Sequence, residues 1–99
     1  VLADLGSDLH VDRDADLHMD MNYYAPGYEQ PNEKASEAIK MLARLEGLFV
    51  DPVYTGKALA GLIDHIRTGK VEQGSNVVFW HTGGATALFA EQQMLGNIF

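Results

Sequence analysis

Two short segments of this 99-residue chain combine hydroxyl groups, glycines and a basic side chain where an apolar run gives way to a helical pattern. The first segment is Tyr54-Thr55-Gly56-Lys57, and the second is His81-Thr82-Gly83-Gly84. In open α/β sheets, ligands bind at the edge where strands end and helices begin. Backbone N–H groups at a helix N-terminus also suit a phosphate or a hydrogen-bonded heterocycle. The two segments are therefore the main candidates for a binding site.

Two titratable side chains in these segments have both a chemical and a structural interpretation. Lys57 follows a glycine at a predicted helix start, where it suits anion binding or a Schiff base. The favoured interpretation is a solvated first-turn lysine, because lysines are usually exposed. His81 ends an apolar run and is a candidate general base. The favoured alternative is a half-buried imidazole with satisfied hydrogen bonds, and spacing alone establishes no catalytic triad.

An acidic stretch near the N-terminus carries histidines and aspartates at every second position: His10, Asp12, Asp14, Asp16, His18 and Asp20. Its aspartate spacing is similar to that of a calcium-binding loop. However, Leu17 stands where such a loop needs a glycine, and Tyr23 stands where it needs a bidentate glutamate. We therefore favour a solvated strand face over a metal site.

The elements that must position these groups alternate between strands and helices. Alternating or continuously apolar residues predict strands at 16–22, 48–50 and 77–80. Apolar residues at helical spacing, with capping residues at their ends, predict helices from the N-cap Asn32 to the Gly47 stop, at about 56–68 and at 85–95. This order predicts an α/β fold with parallel pairing and right-handed crossovers. Three strands leave open edges, so we expect the chain to be a piece of a longer polypeptide.

Composition excludes several classes of function. The net charge is −7, from 14 acidic and 7 basic residues, which opposes binding to nucleic acid or to anionic membranes. The apolar runs are too short to span a bilayer. The first residues lack a basic-then-apolar pattern, so we expect no signal segment. The chain has no cysteine, which excludes disulfides and thiolate metal sites. These features are compatible with a reducing compartment, and we expect a cytoplasmic protein.

Six segments of the sequence are distinctive when taken together: Ala25-Pro26-Gly27-Tyr28, Pro31-Asn32, Leu45-Glu46-Gly47, Asp51-Pro52-Val53-Tyr54-Thr55-Gly56-Lys57, Ala60-Gly61-Leu62-Ile63-Asp64 and His81-Thr82-Gly83-Gly84. In order and spacing they resemble the C-terminal part of the 1-aminocyclopropane-1-carboxylate deaminase/D-cysteine desulfhydrase family of pyridoxal-phosphate (PLP) enzymes. The resemblance covers about residues 15–90. It implies an α/β fold class in which residues 1–99 form the C-terminal portion of the PLP-binding large domain. That domain is a parallel-sheet, three-layer domain of the tryptophan-synthase-β-like (fold type II) PLP enzymes.

The resemblance also implies a cofactor, partners and site residues. The cofactor is PLP, whose Schiff-base lysine and phosphate-binding loop are expected upstream and outside this chain. The full enzyme is expected to be a homodimer acting on a small amino acid, and this piece alone is expected to be inactive. Tyr28 and Tyr54 match the family's active-site tyrosines, which handle the substrate carboxylate and proton transfer. Thr82 matches the position facing the pyridine nitrogen, with Thr55 at the neighbouring position and Gly83 in the same turn as Thr82.

Thr55 and Thr82 also separate the branches of the family. The resemblance implies that the deaminases have Glu at the position of Thr55 and Leu at the position of Thr82. A carboxylate at the ring nitrogen keeps the cofactor a strong electron sink, which suits the opening of a carbon ring. A hydroxyl gives a milder sink that suffices for expelling a good leaving group. The resemblance therefore implies β-elimination of D-cysteine to pyruvate, ammonia and hydrogen sulfide. The alternatives are deaminase activity, a cysteate sulfo-lyase on the same scaffold, and a non-catalytic domain that retains the fold.

Overall fold

The computed structural model describes residues 1–27 and 32–90 of the chain. These residues form the helices α1 (Arg13–Asp16), α2 (Glu33–Glu46), α3 (Thr55–Arg67) and α4 (Ala87–Ala90). Helices α2 and α3 pack against each other and supply most of the core. Across the described ranges, no helix is both long enough and apolar enough to cross a lipid bilayer.

Helix α2 begins and ends where its capping residues predict. The side-chain oxygen of Asn32 accepts a hydrogen bond of 3.0 Å from the backbone N–H of Ala35, which caps the N-terminus. Gly47 adopts the left-handed conformation with φ of 67°, and its N–H donates to the carbonyl of Ala43 at 3.1 Å. A residue with a side chain adopts this conformation only with strain, which explains a glycine at the stop. Both predicted ends of this helix are confirmed.

Helix α3 starts one residue before its predicted start and ends one residue before its predicted end. Its last turn is closed by Thr68, whose backbone N–H and hydroxyl both donate to the carbonyl of Asp64, at 2.9 and 2.8 Å. The N-terminal end of α3 follows directly from the segment that begins at Asp51. The packed α2–α3 pair therefore holds Tyr54 and Thr55 at the end of a fixed helix.

The core lies between α2 and α3 and extends to the segments on either side of them. Its buried apolar residues are Ala38, Ile39, Val50, Leu59, Ala60 and Leu88, with Leu42, Leu62, Ile63 and Phe79 packed partly against them. Ile39 and Val50 are fully buried. Each fully buried aliphatic side chain of this size contributes about 1.5–3 kcal/mol to folding. The burial of Ile39 and Val50 therefore fixes the segment that leads into α3 against the core.

The predicted strands do not form within residues 1–27 and 32–90, in which no β-ladder is present. The segment at 48–50 buries Val50 but leaves Leu48 55% exposed, and at 77–80 Val78 and Trp80 are 86% and 80% exposed. A strand exists only through hydrogen bonds to a neighbouring strand, and these segments find no such neighbour among the described residues. The parallel sheet therefore stays a prediction.

The predicted strand at 16–22 is wrong at its start, because Asp16 is the last residue of α1. The Asp12 side chain caps this single turn by accepting hydrogen bonds from the N–H groups of Asp14 and Ala15. The apolar residues that follow bury no common face, since Met19 is 87% exposed. Local capping thus overrides the alternating pattern here.

The third predicted helix starts at Ala87, two residues after its predicted start at residue 85. Its predicted continuation from residue 91 to residue 95 lies outside the described residues.

Candidate functional site

The first candidate turn is organised by a buried carboxylate. Asp51, 2% exposed, accepts hydrogen bonds from the N–H groups of Val53 at 2.9 Å and Tyr54 at 2.7 Å through Oδ1. Its Oδ2 accepts from the N–H of Thr55 at 3.0 Å and also from the Thr55 hydroxyl. The carboxylate therefore caps the N-terminus of α3, where a negative charge is favourable.

The ionised form of Asp51 is stabilised despite its burial. Burial by itself raises the pKa of this carboxyl group. The hydrogen bonds from the hydroxyl of Thr55 and from the N–H groups of Tyr54, Thr55 and Val53 outweigh that effect, so the pKa lies below its ordinary value. The turn is thus fastened by a permanent negative charge at neutral pH.

Thr55 is a structural member of this turn. It is 3% exposed, and its hydroxyl donates to Asp51 Oδ2 while accepting from the N–H of Asp51 at 3.0 Å. The single hydrogen of the hydroxyl is therefore already used within the turn. The implied position of Thr55 beside a cofactor ring stays a prediction.

The second candidate turn is fastened by an imidazole. His81 Nδ1 accepts a hydrogen bond of 3.0 Å from the backbone N–H of Gly83. An N–H group can only donate, so Nδ1 carries no proton and the proton of this neutral ring is on Nε2. That Nε2–H donates to the carbonyl of Phe49 at 2.7 Å. His81 is exposed, unlike the predicted half-buried imidazole, but both of its ring nitrogens are satisfied, as that interpretation required.

Thr82 lies at the tip of this turn with an exposed side chain. No hydrogen bond of its hydroxyl is found among the residues that the structure describes. A free hydroxyl can either donate to or accept from a heterocyclic nitrogen. The Gly83 N–H is in contrast already bonded to His81, whereas the threonine hydroxyl is free to donate. The donor chemistry of Thr82 therefore fits a pyridine ring.

The structure places the two turns side by side. A Cβ atom added to Gly84 would lie 3.0 Å from Oδ2 of Asp51 and 3.2 Å from its Cβ. Gly84 also has a φ of 84°, which side chains strongly disfavour. A glycine is therefore required for the second turn to approach the carboxylate of the first. The hydrogen bond from His81 to Phe49 joins the same two regions.

Lys57 is not solvated, so the favoured interpretation of this side chain is wrong. It is 6% exposed, and its ammonium donates to the carbonyl of Tyr24 at 2.9 Å and to that of Gly27 at 2.7 Å. A buried ammonium is stable only when its hydrogen bonds are made, and two backbone carbonyls supply them here. Gly27 directly precedes Tyr28, which lies outside the described residues.

A cleft of about 520 Å³ opens beside the first turn. Its lining includes Asp20, Tyr23, Tyr24, Tyr54, Lys57 and His65. Tyr54 is 62% exposed on this cleft. Thr55 and Thr82 are not among the described residues that line it. The structure therefore brings Tyr54, Tyr23 and Tyr24 to one cleft. It also places the Thr82 turn next to Asp51, at the base of the turn that carries Tyr54.

Charged pairs tie both the N-terminal region and α2 to α3. Asp20 Oδ2 lies 2.8 Å from Nε2 of His65. Hydrogen bonds from the backbone of Asn22 and from His65 lower the pKa of Asp20 to about 2. Lys34 Nζ is 2.6 Å from a carboxylate oxygen of Asp64, and this hydrogen bond raises the pKa of the lysine and lowers that of the aspartate.

The acidic stretch does not assemble a metal site within the described ranges, where no group of three or more candidate ligand side chains converges. Its aspartates bond instead to nearby backbone, as when the N–H of Asp12 donates to Asp16 at 2.6 Å. These carboxylates are exposed, in keeping with the favoured solvated face, although that face is not a strand.

Comparisons with known proteins show the family to which this chain belongs. A family model described as "Pyridoxal-phosphate dependent enzyme" matches residues 4–83, a range that includes Asp51, Tyr54, Thr55 and Thr82. The chain belongs to the pyridoxal-phosphate dependent enzyme family. The predicted membership is thereby confirmed.

The similar relatives are more specific. The D-cysteine desulfhydrases of Salmonella typhi, Salmonella newport and Salmonella heidelberg are each 55% identical to the chain over 76 residues. The aligned part covers 77% of this chain and 23% of each relative. The chain thus spans about a quarter of the length of the curated relatives it matches.

Proposed function

We propose that this chain is part of a PLP-dependent lyase that converts D-cysteine to pyruvate, ammonia and hydrogen sulfide. The observation that carries the proposal is the 55% identity to D-cysteine desulfhydrases across 77% of the chain. The cofactor-anchoring lysine and the phosphate-binding loop are proposed to lie upstream, in sequence that the relatives have beyond the aligned quarter. This chain by itself is proposed to be inactive.

The proposed architecture is a parallel-sheet, three-layer domain of the fold type II PLP enzymes, of which residues 1–99 form the C-terminal portion. The exposure of Val78 and Trp80, together with that of Leu48, supports this proposal. Apolar residues of this size seldom lie exposed in groups on a finished domain, and neighbouring strands would cover them. We also propose a cytoplasmic homodimer of the 1-aminocyclopropane-1-carboxylate deaminase/D-cysteine desulfhydrase branch, which binds neither nucleic acid nor membranes.

Each site residue has a proposed task. When bound, PLP supplies an electron-withdrawing ring that stabilises negative charge on the α-carbon of an amino acid. Thr82 is proposed to hydrogen-bond the ring nitrogen, which its exposed, unengaged hydroxyl supports. Gly83 and Thr55 are proposed to lie beside the ring, Thr55 through its part in the turn rather than through its engaged hydroxyl. Tyr54 and Tyr28 are proposed to bind the substrate carboxylate and to transfer protons.

A cysteate sulfo-lyase is the second candidate, because the threonines at positions 55 and 82 suit sulfite as well as hydrosulfide as the leaving group. The third, 1-aminocyclopropane-1-carboxylate deaminase activity, is less well supported because no carboxylate side chain occupies position 55 or 82. All three candidates use the same scaffold and differ in the bond that breaks.

A product assay on the full-length protein loaded with PLP tests the proposal. D-cysteine, cysteate and 1-aminocyclopropane-1-carboxylate are supplied separately, and sulfide, sulfite and 2-oxobutyrate are measured. We expect sulfide from D-cysteine to form fastest. Release of sulfite from cysteate at a higher kcat/KM would favour the sulfo-lyase, and absence of all three products would contradict a catalytic role.

A further inference from the structure

Lys57 occupies a position that local rules disfavour. It lies in the first turn of α3, where the positive end of the helix dipole opposes a cation. It is also 6% exposed, and the ion pairs found within the described ranges do not include its ammonium. A residue that departs from local preference in this way usually serves a task beyond the helix itself. The carbonyls of Tyr24 and Gly27, which accept its hydrogen bonds, indicate what that task is.

Asn32 holds the same segment from a second helix. Its side-chain nitrogen donates to the carbonyl of Tyr23 at 3.1 Å and to that of Ala25 at 2.8 Å. Its side-chain oxygen meanwhile caps α2 by accepting from Ala35. The amide nitrogen is therefore not needed for the cap, and it donates to the segment 23–27 instead.

Together, Lys57 and Asn32 engage four of the five carbonyls of this segment. The two residues lie at the N-terminal ends of the two helices that share the core, so their own positions are fixed. Tyr23 and Tyr24 line the cleft that also contains Tyr54. A segment held in this way forms a wall of defined position rather than an adaptable loop.

We propose that Lys57 and Asn32 are positioning residues that fix segment 23–27, so that its Tyr23 and Tyr24 form one wall of the Tyr54 cleft. The consequence for catalysis rests on the proposed function: the wall sets where an amino-acid substrate lies relative to Tyr54. The mechanical part of the proposal stands on the hydrogen bonds alone, so the two parts can fail separately.

Limited proteolysis of the full-length protein tests the mechanical part. Chymotrypsin cuts after exposed tyrosines, and the cleavage rate after Tyr24 follows the population in which the segment has come away from the helices. Lys57→Met removes the charge and both hydrogen bonds while keeping the length of the side chain. We expect cleavage after Tyr24 to accelerate at least about tenfold, because each charge-assisted hydrogen bond lost shifts the opening equilibrium by roughly that factor. Lys57→Arg keeps the charge and the donors, and it should restore most of the protection.

Two further variants make the result specific. Lys70→Met removes an exposed lysine beyond the end of α3 and should leave the cleavage rate after Tyr24 unchanged. Asn32→Asp keeps an oxygen for the α2 cap but replaces the amide donor by an acceptor, so it should accelerate cleavage even if Lys57→Met fails to fold. Cleavage rates equal to wild type in both Lys57→Met and Asn32→Asp would overturn the proposal.

Kinetics on the same proteins test the catalytic consequence. Per molecule of bound PLP, we expect kcat/KM for D-cysteine to fall about tenfold in Lys57→Met and in Asn32→Asp, with partial recovery in Lys57→Arg. Faster proteolysis with unchanged kcat/KM would overturn the role in substrate placement. If the wild-type protein releases no sulfide from D-cysteine, the proposed function fails, and the proteolysis still decides whether the wall is held as described.

Discussion

The two turns of the candidate site are built in opposite ways. The turn at Asp51 is held from within, by one buried carboxylate that accepts from three N–H groups and a hydroxyl no more than four residues away. The turn at His81 is held from outside, by an exposed imidazole whose partner, Phe49, is 32 residues distant. Buried, short-range networks are stiff and costly to break, whereas exposed bridges exchange readily with water. The comparison shows a rigid base under Tyr54 and a more adjustable support under Thr82.

The largest expected effect comes from removing the carboxylate of the rigid turn. Asp51→Ala leaves the N–H groups of Val53, Tyr54 and Thr55 without their acceptor and opens a gap beside Gly84. We expect a loss of about 3 kcal/mol in the free energy of unfolding, since buried hydrogen bonds to a charged group are among the strongest. Urea unfolding of the full-length protein measures it. A loss below about 1 kcal/mol would show that the turn does not depend on this charge.

The second-largest expected effect comes from adding a side-chain carbon at Gly56, next to the turn at Asp51. A Cβ at Gly56 would lie 2.5 Å from the backbone oxygen of Asp51 and 2.9 Å from the side chain of Ile39. Gly56→Ala should therefore cost about 2 kcal/mol through forced displacement. Gly61→Ala is the matched control in the same helix, because the atoms nearest to its Cβ would belong to the ring of Tyr23, the closest at 3.2 Å. There the gain in helix propensity offsets the tighter contact, and the change should stay within about 1 kcal/mol.

The hydrogen bonds of His81 should contribute less to the free energy of unfolding than those of Asp51. His81→Ala removes both hydrogen bonds of the ring, and we expect a loss of about 1 kcal/mol, clearly below that of Asp51→Ala. Two variants separate the halves of the bridge. His81→Asn keeps an acceptor near the position of Nδ1 for Gly83, and His81→Gln keeps a donor near the position of Nε2 for Phe49. Each should recover part of the loss, and thermal unfolding of all three shows which half contributes more. A loss in His81→Ala as large as that in Asp51→Ala would erase the contrast between the turns.

The smallest effect concerns the exposed pair of Asp20 and His65, and it depends on pH. The pKa of Asp20 is lowered to about 2 from an ordinary value of 3.8. A lowered pKa in the folded state means that the unfolded chain binds the proton first as the pH falls. The contribution is therefore fully present above about pH 4 and is lost as the pH falls towards 2. The stability difference between wild type and Asp20→Asn should shrink over that interval. A difference that stays constant from pH 5 to about pH 2 would contradict the lowered pKa of Asp20 and the hydrogen bonds from Asn22 and His65 that cause it.

Much of the helical frame could be predicted from the sequence, because its determinants are local. Asn32 and Gly47 act within one turn of the helix that they cap, so their residue types indicate the ends of α2. The strands could not be established in the same way, since a segment such as 77–80 becomes a strand only beside a partner. The exposed Val78 and Trp80 show that apolar composition alone does not provide one.

The two supports of the site were missed for different reasons. The role of Asp51 has a local signal, an aspartate before proline at the start of a helix, which hydrophobic periodicity does not reveal. The role of Lys57 has none, because its acceptors lie 33 and 30 residues earlier in the chain. Because lysines are usually exposed, the sequence predicted a solvated side chain for Lys57, which is in fact buried. Contacts of that separation follow from how α2 and α3 pack, which the residue pattern of either helix does not specify.

We propose that the two adjacent turns place the Thr82 hydroxyl at the nitrogen of a bound PLP ring. It is tested most directly by the rate of sulfide release from D-cysteine, per molecule of bound cofactor, in Thr82→Ala and in the matched control Thr86→Ala. We expect Thr82→Ala to lower this rate about tenfold or more, as loss of a hydrogen bond made to the reacting group does. Thr86→Ala, an exposed hydroxyl four residues further along, should retain the wild-type rate. Equal rates in Thr82→Ala and wild type would contradict the account.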